Sequence, residues 1–239
     1  MENMKGFCRT LGEIKAIHFD LDGSLVDSRK AWFLSEVQLL RGYGVDMPVS
    51  RIREITHDDL VGRGQKYAAK FYKNKFDLRA SPEEIREKRI KLVKKHYGKA
   101  PLIDGAENFL RAVSESSLKI TLATSAPLEL VEVFLEKHGF EDCFSSVISD
   151  DHVKESKPSP DIFVTASRNV GVKPEESLVV EDSKNGLLAA KRAGAMCLLI
   201  PNEGLSKDCS GILNRADFVA ESLASIDIQN VRRCLGRTE

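Results

Sequence analysis

Ala16-Ile17-His18-Phe19-Asp20-Leu21-Asp22-Gly23-Ser24-Leu25-Val26-Asp27-Ser28 is an apolar run that stops at two carboxylates and a glycine. From Ile14 it reads as a short strand, too short for a membrane span and rich enough in Ile and Phe to be buried on both faces. Gly23 lets the backbone bend behind the two Asp, so Asp22 need not lie on the face that carries Asp20. Carboxylates at the C-terminal end of a buried parallel strand sit where open α/β sheets bind ligands.

Working outward, residues 28–99 are rich in Lys, Arg and Glu, with apolar residues such as Trp32, Val37, Leu40, Ile85, Ile90 and Val93 at helical spacing. Ser81-Pro82-Glu83-Glu84 is a helix start, with Ser as N-cap and Pro in the first turn. A helical stretch of that length is too long for an ordinary strand-to-helix connection and reads as an inserted cap. Within it, Val61-Gly62-Arg63-Gly64 interrupts the pattern and presents a cation between two flexible residues.

From Pro101 an α/β rhythm resumes. Strands are predicted over 118–123, ending at Thr124-Ser125-Ala126, over 146–149, over 178–180, running into Glu181-Asp182-Ser183, and over 196–200. The helices between them begin near Asp104, at Pro127, after Lys157-Pro158-Ser159-Pro160, and after Asn185-Gly186. The fold class is therefore α/β, a doubly wound, Rossmann-like parallel sheet with right-handed crossovers and an inserted helical cap. The expected division is core over 1–27, cap over 28–99 and core over 100–239.

Composition narrows the function. The 36 Lys plus Arg balance 36 Asp plus Glu, so there is no global electrostatic case for nucleic acid or an anionic membrane. The five cysteines form no C-x-x-C and have no His at metal-ligand spacing, so they read as reduced thiols. Residues 1–13 hold no apolar core of a signal peptide, and a cytoplasmic monomer is expected.

Asp20, Asp22, Thr124, Ser125, Glu181 and Asp182 all fall at predicted strand ends, with Lys157 at a loop or helix start, so they share one rim of the sheet. Carboxylates gathered there raise each other's pKa and imply a cation. Oxygen ligands without His or Cys point to Mg²⁺, which prefers one or two carboxylates and a substrate phosphate. The hydroxyls, the lysine and free N–H groups of the helix starting near Pro127 suit that phosphate.

Asp20-Leu21-Asp22-Gly23-Ser24 resembles the D-x-D-G-T/S signature of the haloacid dehalogenase superfamily, and the later clusters follow in that family's order over about residues 14–202. The resemblance implies a nucleophile at Asp20 and an acid/base at Asp22. It implies phosphate binding by Thr124 and the Ser125 backbone, and charge compensation by Lys157. It also implies Mg²⁺ held by Asp20, the Asp22 carbonyl and Asp182, with Glu181 alongside. The pair Lys157-Pro158 with Glu181-Asp182-Ser183 is similar to the branch of β-phosphoglucomutases and sugar-phosphate phosphatases. Mutases of that branch carry a cap His where this chain has Trp32, and a Lys and an Arg around the cap-loop Gly where it has Val61 and Gln65. The Gly62-Arg63 loop is similar to that of phosphoglycolate phosphatases and is expected to reach the substrate's non-transferred end. The reading is a phosphatase of a small phosphorylated metabolite. The alternatives are a phosphosugar mutase and a non-enzymatic binding protein, although the latter is expected to lack Asp20, Asp22 or Lys157.

Overall fold

In the computed structural model, which describes residues 2–201 and 210–236, the described residues form a six-stranded sheet of order β3-β2-β1-β4-β5-β6. The strands are β1 (Ala16–Phe19), β2 (Lys119–Ala123), β3 (Ser146–Ile148), β4 (Ser177–Glu181), β5 (Met196–Leu199) and β6 (Phe218–Val219), and every pairing is parallel. Ile17 lies in register with Ile120 on one side and Leu178 on the other, so the sheet grows outward in both directions from β1. That order is the doubly wound arrangement, and its switch point falls between β1 and β4.

All four residues of β1 and all five of β4 are buried, as strands covered on both faces must be. One face is covered by α1 (Glu2–Glu13), α6 (Ala106–Ser114) and α7 (Leu128–His138), with Phe7, Phe109 and Phe134 joining Phe19 in one core. The other carries α8 (Asp161–Asn169) and α9 (Lys184–Ala193), whose Phe163 and Leu187 pack with Val179 and Ile148. Burying Phe19 or Ile17 contributes roughly 2 to 3 kcal/mol each. The chain closes with α10 (Ser210–Leu213), the edge strand β6 and α11 (Ile228–Cys234).

Between β1 and α6 lie α2 (Arg29–Arg41), α3 (Val49–Leu60), α4 (Gln65–Lys75) and α5 (Pro82–Tyr97). They bury a separate apolar cluster around Leu39, Ile52, Tyr72 and Ile85. The helix start at Ser81 is a capping box: Glu84 N donates to Ser81 Oγ at 3.1 Å and Ser81 N donates to Glu84 Oε2 at 2.7 Å.

Two features depart from the sequence reading. Residues 2–13 form a helix whose Phe7 and Leu11, one turn apart, are buried, where the sequence reading found no element. The cysteines are not all thiols: Cys8 and Cys234 form a disulfide with Cα atoms 5.6 Å apart, while Cys143 and Cys197 are free and Cys209 lies outside the described residues. The physical reason is that α1 and α11 pack side by side, joining residues 226 apart in sequence, which no local spacing reveals. The pairing removes the cysteine argument for a reducing compartment. Among the described residues no helix is long and apolar enough to cross a membrane.

Candidate active site

The chain leaves the sheet after Phe19, beside the end of β4, and Asp20 N donates to Val180 O at 2.9 Å, fixing the first carboxylate at the switch point. Asp20 is buried, and its Oδ1 accepts from Lys157 Nζ at 2.6 Å. Lys157 precedes α8 and is 1% exposed; it also donates to Glu181 Oε1 at 2.6 Å and Ala123 O at 3.1 Å. All three ammonium hydrogens therefore have acceptors, and the lysine bridges the ends of three adjacent strands.

At the end of β4, Glu181 Oε2 accepts from Asp182 N, Ser183 N and Ser183 Oγ, each at 3.0 Å. Glu181 thus orients Lys157 and the turn that places Asp182. Ligand oxygens of Asp20, Glu181 and Asp182, all buried, lie within 4.8 Å of one another. Gly23 belongs to this cluster for a steric reason: its φ is 91°, and a Cβ there would fall 2.0 Å from Asp182 Oδ2. The same turn separates the two aspartates, because Asp22 Oδ1 accepts from Tyr97 Oη at 2.7 Å, at the end of α5.

Burial is the largest influence on Asp20 and pushes its pKa well up; Lys157 opposes it, and Glu181 and Asp182 add to it. For Lys157, burial by itself would lower the pKa, but Asp20 and Glu181 outweigh it and the group is held protonated. Asp22 is raised by burial against hydrogen bonds from Ser28, Tyr97 and Trp32. One ammonium among these buried carboxylates leaves excess negative charge, and a divalent cation between Asp20 and Asp182 would restore Asp20 as an ionised group. The donor set, hard oxygens with Lys157 to one side, fits Mg²⁺.

Thr124 sits beyond β2 with its N–H on Ile148 O at 2.9 Å and its Oγ1 accepting from Ala126 N at 3.0 Å. Thr124, Ser125, Asp20, Asp22 and Asp182 border one cavity of about 160 Å³ that extends under the cap. The Ser125 side chain is committed elsewhere: Oγ donates to Gly62 O at 3.1 Å, while Asn185 Nδ2 donates to Val61 O at 2.8 Å. These bonds dock the cap loop on the core. Gly62, at φ 73°, is required there, since a Cβ would come 2.5 Å from Ser183 Oγ. Arg63 borders the cavity, with its guanidinium 4.2 Å over the Tyr67 ring. The α7 start is less open than expected, because Leu128 N donates to Asp151 Oδ2 at 3.4 Å.

The sequence reading missed Tyr97 and a buried polar group in the cap formed by Glu36, Thr56, Gln65 and Arg89, all bordering the same cavity. A signal for them exists. Arg89 stands four residues from both Ile85 and Val93, Thr56 four from Ile52 and Leu60, Glu36 four from Leu40, and Gln65 four from Ala69. Each is a polar residue on an otherwise apolar helix stripe.

The profile of the haloacid dehalogenase-like hydrolases matches residues 17–200. A phosphoglycolate phosphatase of Vibrio vulnificus is 31% identical over 228 residues, covering 91% of this chain and 96% of that protein. Hexitol phosphatase B of Escherichia coli is 28% identical over 220 residues, covering 92% and 97%. Among solved structures, CbbY from Rhodobacter sphaeroides in complex with phosphate superposes with a TM-score of 0.74 at 26% identity, covering 89% of this chain and 96% of that one.

Proposed function

The chain belongs to the haloacid dehalogenase-like hydrolase family and is a phosphoric monoester hydrolase, and we propose that it cleaves a small phosphorylated metabolite, a sugar phosphate or phosphoglycolate-like ester, through an aspartyl phosphate on Asp20. The observation that carries this reading is Asp20 held at 2.6 Å by Lys157 while Asp22, two residues on, is drawn toward the cap by Tyr97 at 2.7 Å. One carboxylate is thereby kept for attack and the other for proton transfer.

The chemistry follows from those placements. An Asp20 oxygen bonds to phosphorus as the P–O bond to the leaving group breaks, and Asp22 delivers a proton to the departing oxygen. Asp22 then takes a proton from a water that attacks phosphorus, which returns Asp20 and releases inorganic phosphate. Lys157 stabilises charge on Asp20 and on the phosphoryl oxygens as it builds. Thr124 and the Ser125 backbone hold the phosphoryl group, and the docked cap loop with Arg63 shields it from indiscriminate water. Asp20, Asp182 and the Asp22 carbonyl are the proposed Mg²⁺ holders, and Glu181 keeps Asp182 and Lys157 in place. The bound cation supplies Lewis-acid stabilisation of the phosphoryl charge.

The mutase alternative is disfavoured because Trp32, not an imidazole, stands where the cap His would be, and Asp22 draws a hydrogen bond from it. The test is phosphate release from p-nitrophenyl phosphate. It should require Mg²⁺, disappear in Asp20→Asn and need more Mg²⁺ in Asp182→Ala. Full activity in excess chelator, or Asp20→Asn within tenfold of wild type, would refute the proposal.

A further inference from the structure

Beyond β3 the core turns through Ser149-Asp150-Asp151-His152, and this turn meets two helices of the cap. Gln65 N, at the start of α4, donates to Asp150 Oδ2 at 3.0 Å, and Arg86 Nη2, on α5, donates to Asp151 Oδ1 at 2.5 Å. Asp150 is 5% exposed and Gln65 4%. The turn is braced from within, since Ser149 N donates to His152 Nδ1 at 3.0 Å and Asp151 N to Ser149 Oγ at 3.3 Å. Its strand also holds the phosphate side of the cavity, through the Thr124 N–H on Ile148 O.

Helix α4 has no side-chain cap of its own. Its N-cap residue, Gly64, offers no side-chain acceptor to the free N–H groups of the first turn, and that turn carries no acidic residue. Asp150 supplies from the core what α4 lacks, a carboxylate at the positive end of the helix dipole. Burial works against that charge, and the Gln65 N–H and Lys66 oppose the effect of burial. Gly64 is required by this contact and not by its backbone: its φ of −72° suits any residue, yet a Cβ there would fall 2.1 Å from Asp150 Oδ1. The other bonds described across this seam are weaker. Ser125 to Gly62 O and Asn185 to Val61 O join neutral groups, and the Arg86 and Asp151 side chains are 30% and 39% exposed, where an ion pair contributes little.

We propose that Asp150 is a positioning residue: by capping α4 across the seam it holds the cap closed, so that Val61-Gly62-Arg63-Gly64 is seated over the Asp20 rim before an ester binds. Gln65 directly follows that loop, so fixing Gln65 N fixes the loop's far end, while Ser125 and Asn185 hold its near end. Without Asp150 the closed cap becomes one of two populations, and part of a substrate's binding energy goes into gathering it. Apparent affinity then falls by the closed fraction, whereas the chemistry within the closed state is untouched. The kinetic side of this inference rests on the phosphatase reading of the rim; the placement of the cap does not.

The experiment compares wild type with Asp150→Ala, Asp150→Asn, Gly64→Ala and the double variant Gly64→Ala/Asp150→Ala in two assays, hydrolysis of p-nitrophenyl phosphate at saturating Mg²⁺ and cleavage by trypsin after Arg63. Asp150→Ala should raise KM about tenfold, the size of a lost helix cap with a charged acceptor, and leave kcat within about threefold. Trypsin should cut after Arg63 about tenfold faster, because cleavage tracks the open population. Asp150→Asn keeps an acceptor oxygen and caps helices well, so it should restore both values to within about threefold of wild type. Gly64→Ala should match Asp150→Ala, and the double variant should be no worse than Asp150→Ala alone, because the clash goes with the carboxylate. An unchanged KM or unchanged cleavage in Asp150→Ala would overturn the proposal. So would an Asp150→Asn as impaired as Asp150→Ala, or additive losses in the double variant. If Asp150→Ala does not fold, the same two readouts in Gly64→Ala decide. A wild type inert toward p-nitrophenyl phosphate would instead refute the phosphatase reading, and the trypsin assay, which needs no turnover, would still decide the role of Asp150.

Discussion

Replacing Tyr97 by Phe removes one of the hydrogen bonds by which the cap holds the proposed acid/base. Tyr97 is 2% exposed, its Oη donates to Asp22 Oδ1 at 2.7 Å, and burial together with Asp22 keeps the phenol protonated as a donor. The ring packs in the main core, which Phe preserves, so the change removes a hydrogen bond and little else. A hydrogen bond to a charged group contributes about 1.5 to 3 kcal/mol. At 1.36 kcal/mol per pKa unit that favours ionised Asp22 by about one to two units, and the lower figure is expected because Ser28 and Trp32 also hydrogen-bond it. Burial already raises Asp22, and losing this donor raises it further. In the pH profile of kcat with p-nitrophenyl phosphate at saturating Mg²⁺, the acidic limb of Tyr97→Phe should move up by about one unit. Activity should drop about tenfold on that limb and recover toward the plateau. An unmoved limb, or an equal loss at every pH, would refute the reasoning and make Tyr97 a packing residue of the cap hinge.

Two further outcomes test the fold. His18 is fully buried between Thr121 Oγ1 and Ser167 Oγ, each at 2.8 Å, and burial lowers its pKa from 6.5 to about 4. Because the folded state resists protonation, its stabilisation is complete above the unfolded value and is lost as pH falls through the window down to about 4. The stability of wild type relative to His18→Gln should therefore drop by roughly 3 kcal/mol between pH 7 and pH 4 in urea titrations, and a pH-independent difference would contradict the assignment. The Cys8–Cys234 disulfide closes nearly the whole chain, its cysteines 226 positions apart in sequence, and chain entropy sets its stabilisation on the order of 5 kcal/mol at most. Reductant should lower the melting temperature of wild type but not of Cys8→Ser, and equal curves with and without reductant would show the sulfurs unpaired.

What the sequence made legible was what local chemistry marks. Apolar runs that end in charge, as at Phe19-Asp20 and Val180-Glu181-Asp182, announce both a buried parallel strand and its functional end, so the sheet and the rim were readable together. Lys157 could be placed on that rim from the element order, but its charge-compensating role came from the resemblance, since nothing in a lysine before proline says that it spans three strand ends. The cap group was hidden for a different reason. Glu36, Thr56, Gln65 and Arg89 each look like part of a solvated helix face until their four-residue spacing from buried neighbours is noticed, and their convergence depends on how the helices pack. The role of Ser125 was likewise out of reach, because its partner Gly62 lies 63 residues away on a loop that only the folded cap brings to it.

The central claim, that Asp20 carries the phosphoryl group, is tested most directly in Asp22→Asn. p-Nitrophenolate leaves with little need of a proton, so attack by Asp20 proceeds, whereas the later attack by water lacks its base. Mixed with p-nitrophenyl phosphate and Mg²⁺ and quenched in acid, Asp22→Asn should gain the mass of one phosphoryl group, mapped by peptide mass spectrometry to Asp20 and missing when Asp20→Asn is added. Phosphate on a different residue, or nitrophenol release in excess of enzyme with no adduct on Asp20 at any time, would contradict the account.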